Sequence, residues 1–173
     1  MQARTESPKP YGNPDLDSSD VMPHFVLEAL NWLDEKLRTN RIELDSPASV
    51  RSWVTGYFAL QYSGPDAKFQ ESFHVMFLDS QNRMIRCEEM FRGSLTQVAV
   101  YPREIARKSL EYGALSVILA HNHPSGIPVP SQADKALTCQ ISDALKVFDI
   151  RTLDHIIVAG GTQTFSFAEN GLM

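Results

Sequence analysis

Apolar positions change their period along the chain, and each change marks an element. Residues 1–22 are rich in Pro, Ser, Asp and Gly and carry few large apolar side chains, which predicts a flexible arm. Over residues 23–38, Val26, Ala29, Leu30, Leu33 and Leu37 recur at helical spacing. A second helix is predicted over 47–61, with Ser46 as N-cap and Pro47 at the first helical position. Ser63-Gly64-Pro65-Asp66 then breaks the chain, so 23–66 reads as a helical extension packed on a main domain over 67–173. That domain opens on a period of two: Phe73, Val75 and Phe77 alternate along a strand to about Leu78, and Glu71 shares their parity. Asp79 to Asn82 reads as a turn, 84–91 as a second strand, and 95–100 as a third after Gly93. Pro102 opens a helix that Gly113 closes. The continuous apolar run 115–120 predicts a central strand covered on both faces, and it ends in histidines. A Pro/Gly loop over 124–130, a helix over 131–147 and two strands, 151–158 and 162–167, joined around Gly160-Gly161, complete the chain.

Composition narrows the class. With 173 residues, 43% hydrophobic and 21% charged, the chain suits one globular domain with a small appendage. Its net charge of -5 provides no general attraction to nucleic acid or to anionic membranes. Cys87 and Cys139 stand far apart and outside any C-x-x-C pair, so they read as reduced thiols of a cytoplasmic protein. The polar N-terminus offers no signal peptide, and no apolar run approaches the ~20 residues that span a bilayer.

The chemistry concentrates in His121-Asn122-His123-Pro124-Ser125-Gly126, closed by Ser131-Gln132-Ala133-Asp134. Two histidines two apart on an extended strand point to one side. The loop reverses the chain, and a carboxylate at Asp134, in the first turn of the next helix, can return to the strand end as a third ligand. Three N/O protein ligands leave a fourth position for water, the arrangement of catalytic zinc; structural sites are closed by four. Zinc there would bring the pKa of its water to about 7 and polarise a carbonyl. Two His and one Asp also suit other divalent ions. Each part has a plain structural reading too. The H-x-H is also an ordinary strand end, and Ser131-x-x-Asp134 is also a capping box. Cap and ligand are compatible, because the cap decides where Asp134 points. Asn122 turns away from the metal in this reading.

The string from His121 to Asp134 resembles the JAMM motif: a distant Glu, then H-x-H, seven residues, and S-x-x-D. His-Asn-His-Pro-Ser-Gly, with Pro130-Ser131-x-x-Asp134 and the later Asp154-His155-Ile156-Ile157, is similar more narrowly to the RadC branch of that superfamily. The resemblance covers roughly residues 68–173. The helix-hairpin-helix segment of full-length RadC proteins has no counterpart in the motifs found here, so the chain resembles the shorter RadC-like proteins. The resemblance implies an α/β fold of the JAB/MPN, cytidine-deaminase-like kind: a mixed central sheet flanked by helices, here with an N-terminal helical extension. It further implies Zn2+ held by His121, His123 and Asp134 and a metalloprotease or isopeptidase activity. Glu71 falls where the family's distant Glu lies and would be the general base, with Glu88, Glu89 and Glu104 as competitors. Ser131 would help hold the oxyanion. His155 reads either as a core histidine or as a residue behind a ligand, and His24 and His74 as structural.

Other readings compete with this one. A nuclease, or a DNA-associated RadC-like protein acting in repair, recombination or mobile-element biology, is the first alternative; the net charge does not support it. A zinc deaminase needs H-x-E and P-C-x-x-C, and helical zinc proteases need H-E-x-x-H; none of these is present. The second alternative is a non-catalytic MPN binding module. The expected partner is a protein or peptide substrate, and the apolar stripe of the first helix is compatible with a dimer.

Overall fold

The computed structural model describes residues 42–61, 70–93, 100–160 and 163–173. The expected arm, the helix over 23–38, the break at 63–66 and most of the strand over 95–100 lie outside the described residues.

Helix α1 (Pro47–Gln61) starts where its cap is written. The Ser49 N–H donates to Ser46 Oγ (3.2 Å), and the Ser46 N–H donates to Ser49 Oγ (3.1 Å). This reciprocal pair satisfies donors that a helix start otherwise leaves open. Strands β1 (Glu71–Leu78) and β2 (Met84–Gly93) form a hairpin. Its turn is organised by Asp79, whose Oδ1 accepts from the N–H groups of Gln81 (2.9 Å) and Arg83 (3.0 Å). Helix α2 (Pro102–Tyr112) ends at Gly113, which sits at φ 63°, a left-handed geometry that costs a glycine little.

Strand β3 (Ser116–His123) runs further than its apolar segment predicts. The reason is its neighbour: β3 pairs in parallel with β4 (Arg151–Ala159) as far as His123 opposite Ala159, so the ladder carries both histidines as strand residues. Helix α3 (Gln132–Lys146) makes the crossover between these two parallel strands. A short β5 (Gln163–Ser166) adds to β4 antiparallel. The sheet order is β2-β1-β3-β4-β5, with β1 antiparallel to both of its neighbours.

Alternation along the strands divides the core between two faces. Phe73, Val75, Phe77, Val117 and Leu119 meet Ile105 and Ala106 of α2 and Ile141 and Leu145 of α3. On the other face Met76, Leu78, Ile118, Ala120, Ile156 and Val158 meet Val50, Val54 and Phe58 of α1. This is the mixed α/β sheet flanked by helices that the motif implied. Among the described residues, no helix is long and apolar enough to cross a membrane.

Candidate metal centre

His121 and His123 share the face of β3 that α2 and α3 cover, because they continue the parity of Val117 and Leu119. His121 is buried and stacks on Phe73 at 6.2 Å between ring centroids; His123, one step nearer the strand end, is half-buried. The loop after His123 folds back at once, with the Gly126 N–H donating to the His123 carbonyl (3.1 Å) and Gly126 at φ 78°.

Ser131 caps α3 in a box with Asp134. Asp134 N–H donates to Ser131 Oγ (3.1 Å), and Asp134 Oδ2 accepts from the Ser131 N–H (2.7 Å) and hydroxyl (2.6 Å). This cap aims the carboxylate at the histidines. Asp134 Oδ1 is 3.4 Å from His121 Nε2, Oδ2 is 3.5 Å from His123 Nε2, and the two Nε2 atoms are 2.9 Å apart. One ligand atom from each residue lies within 4.8 Å of the others, and no other group of three His, Cys, Asp or Glu side chains gathers in this way among the described residues. A tetrahedral ion with bonds of about 2.0–2.1 Å separates its ligand atoms by about 3.3–3.4 Å. The two nitrogen–oxygen spacings and the donor set, two imidazole nitrogens and a carboxylate, therefore fit a zinc-like divalent ion, with the two nitrogens at 2.9 Å closer than that ideal.

The charges are arranged for the same task. Burial drives the His121 pKa down to about 4, against the pull of Asp134. Burial also opposes the Asp134 carboxylate, but the hydrogen bonds from His123 and Ser131 and the charge of His121 outweigh it and hold its pKa well below the ordinary range. The His123 pKa is raised, first by its hydrogen bond to Asp134, against burial, then by the Ile127 carbonyl and the charges of Asp134 and Glu71. A ligand must be a free base or an anion to bind metal, and two of the three are held so outright.

Glu71 begins β1 on the same face, half-buried and paired with Gly93, and its charge reaches His123. The competing carboxylates are engaged elsewhere. Glu88 bonds Lys108, Tyr112 and Arg86; Glu89 bonds Arg92 on the α1 face; Glu104 pairs with Arg107 on α2. Asn122 points to the opposite face from the two histidines. The β1–β3 ladder stops at Phe73 opposite His121, and the Asn122 carboxamide takes over there. Its Oδ1 accepts from the Ser72 N–H (2.7 Å) and hydroxyl (3.1 Å), and its Nδ2 donates to the Gln70 carbonyl (3.0 Å). It thus clasps the backbone on both sides of Glu71. Ser72 Oγ continues to His74 Nε2 (2.9 Å), and His74 Nδ1 to the Tyr57 hydroxyl of α1 (3.4 Å).

Behind His121 stands His155 of β4, fully buried, with Nε2 at 2.8 Å from His121 Nδ1. Burial holds its pKa well below 6.5. Its Nδ1 lies 2.6 Å from Thr138 Oγ1 on α3. Sequence reasoning left His155 between two roles and missed Thr138. The available signal for Thr138 was its place four residues after Asp134, one helical turn on. Neighbouring Asp154 faces the other way and accepts from Ser166 Oγ (2.6 Å) and the Ala168 N–H (2.9 Å), tying the C-terminal turn to β4.

A family model described as the RadC-like JAB domain matches residues 44–172. A UPF0758 protein of Herminiimonas arsenicoxydans is 52% identical over 147 residues, covering 84% of this chain and 62% of its own. One of Cupriavidus pinatubonensis is 49% identical over 149 residues, covering 84% and 62%. The UPF0758 protein YkfG of Escherichia coli K12 is 43% identical over 149 residues, covering 86% and 89%. The chain thus spans about three fifths of the first two relatives and most of the third. The matched segment contains α1, the whole sheet and every residue of the His121–His123–Asp134 group, and the chain belongs to the RadC-like JAB domain family.

Proposed function

We propose that this chain is a zinc-dependent hydrolase of the JAMM type that cleaves an amide bond, peptide or isopeptide, in a protein or peptide substrate. The observation that carries this reading is the convergence of His121 Nε2, His123 Nε2 and the Asp134 carboxylate, since three such ligands leave a coordination position open. Bound there, zinc would supply Lewis-acid chemistry, acidifying water and polarising a carbonyl.

The residues would divide the remaining work. His121 and His123 hold the ion through Nε2, and Asp134 holds it through its carboxylate. Glu71 accepts a proton from the attacking water at its carboxylate and returns it to the leaving nitrogen. Ser131 Oγ donates to the oxygen on which charge develops, once its proton turns from Asp134 Oδ2. The cap restrains that turn, so Ser131 stays poised by the same bonds that aim Asp134.

Elemental analysis of the purified protein tests the first half. About one zinc per chain in the wild type, and none in His123→Ala, supports the site. No metal in either after zinc is supplied overturns it in favour of a binding module. Peptide and isopeptide substrates test the second half: Glu71→Gln should retain zinc and lose turnover by at least about 100-fold. Full activity in Glu71→Gln would remove Glu71 as the base, and zinc-dependent cleavage of DNA alone would replace the amide with a phosphodiester.

A further inference from the structure

Thr138 and His155 take no part in the reaction above, yet both are buried directly behind it. Thr138 Oγ1 lies 2.6 Å from the main-chain oxygen of Asp134. A carbonyl only accepts, so the hydroxyl proton sits in that bond. The same Oγ1 is 2.6 Å from His155 Nδ1, and with its one proton committed it accepts there. His155 Nδ1 therefore carries a hydrogen. A neutral imidazole protonated at Nδ1 has a lone pair at Nε2. That lone pair is 2.8 Å from His121 Nδ1, which must donate. The lone pair of His121 then falls on Nε2, the atom that faces His123 and Asp134.

At His121 Nε2 a proton could instead serve Asp134 Oδ1 at 3.4 Å, but His155 has no such alternative. His155 is walled by Phe167, stacked at 4.7 Å, and Phe73, edge-on at 5.5 Å between centroids. His123 is oriented by a separate route: its Nδ1–H donates to the Ile127 carbonyl at 2.8 Å, which leaves Nε2, hydrogen-bonded to Asp134 without metal, as the nitrogen that would take the ion. A cation that displaces the proton His123 shares with Asp134 would meet two imidazole lone pairs and a carboxylate.

We propose that Thr138 and His155 are positioning residues: their hydrogen bonds run in one direction, from His121 to the Asp134 backbone, and so fix His121 in the tautomer whose Nε2 binds metal. The proposal rests on the metal reading given above. It makes one residue, Asp134, both a ligand through its side chain and the terminus of the relay through its carbonyl.

The test uses the full chain and zinc alone. Long-range proton–nitrogen NMR of histidine-labelled, metal-free wild type near neutral pH should show His121 and His155 protonated at Nδ1. In Thr138→Val the His155 N–H loses its acceptor, so the ring should switch to the Nε2–H form and drive the His121 proton onto its own Nε2. Zinc affinity, read by competition with a chromophoric chelator, should fall about 10- to 100-fold. Thr138→Ser, which restores the hydroxyl, should return both tautomer and affinity close to wild type. Nδ1-bound protons that persist in Thr138→Val, or unchanged zinc affinity there, would overturn the relay. The outcomes separate cleanly from failure of the metal reading. A wild type that binds no zinc defeats that reading, while the tautomers of the metal-free protein still decide the relay.

Discussion

Asn122 sits between the two candidate ligands, His121 and His123, in sequence and on the far side of the strand from both. Period-two geometry puts it there, and its carboxamide then does what the β1–β3 ladder no longer does at that point. Because it grips Gln70 and Ser72, its effect should fall on Glu71 and leave the metal alone. Asn122→Ala is expected to bind zinc as the wild type does, with kcat about 100-fold lower and KM little changed, the size of penalty that misplacing a catalytic group carries. Amide hydrogen exchange at Ser72 should quicken in the same variant, since its N–H loses its acceptor. Loss of zinc from Asn122→Ala would instead make Asn122 part of the ligand frame.

At the scale of elements, the site depends on layers that never touch it. Helix α1 covers the sheet face opposite His121, His123 and Asp134, with Val54 and Phe58 packed on Met76, Ile118 and Ile156. Phe58 is 2% exposed, and its ring meets His74 edge-on at 5.0 Å. Phe58→Ala should cost about 3–5 kcal/mol of unfolding free energy, from lost transfer and the cavity left behind. Urea denaturation measures this directly, and a cost below about 1 kcal/mol would mean that α1 is not a core layer. On the other face, α3 performs two tasks with one turn of helix. Its cap sets Asp134, and its next turn brings Thr138 to His155.

Burial holds His74, His121 and His155 in neutral form, and that makes stability depend on pH. Burial lowers the His74 pKa from 6.5 to about 4, while Glu89 pulls it up and Arg92 pushes it down. Well above pH 6.5 neither the folded nor the unfolded chain protonates this ring. As the pH falls from there towards 4, the unfolded chain takes a proton that the fold refuses, so stability is progressively lost across that window. A tenfold difference in proton affinity is worth ~1.4 kcal/mol, which puts the total from His74 at about 3 kcal/mol. Chemical denaturation of the wild type near pH 7 and near pH 5 should show the decline, and His74→Gln should flatten part of it. An identical slope in the variant would remove His74 from the account.

Residue types and short spacings carried much of this protein in the sequence alone. His121 and His123 share a side because a strand repeats every two residues, and Ser131 aims Asp134 because a helix cap spans three. Both are properties of local backbone, legible without any partner. Ser46 and Pro47 start α1 and Gly113 ends α2 for the same reason. What waited for the tertiary structure was every relation between strands. Register set Glu71 on the histidine face of β1, carried β3 through its histidines by pairing with β4, and brought His155 behind His121. Strand pairing joins residues distant in sequence, and a shift of one residue would send each of these side chains to the other face. Spacing within the chain therefore determined which atoms could bind a metal, and packing between elements decided which atoms would hold them in place.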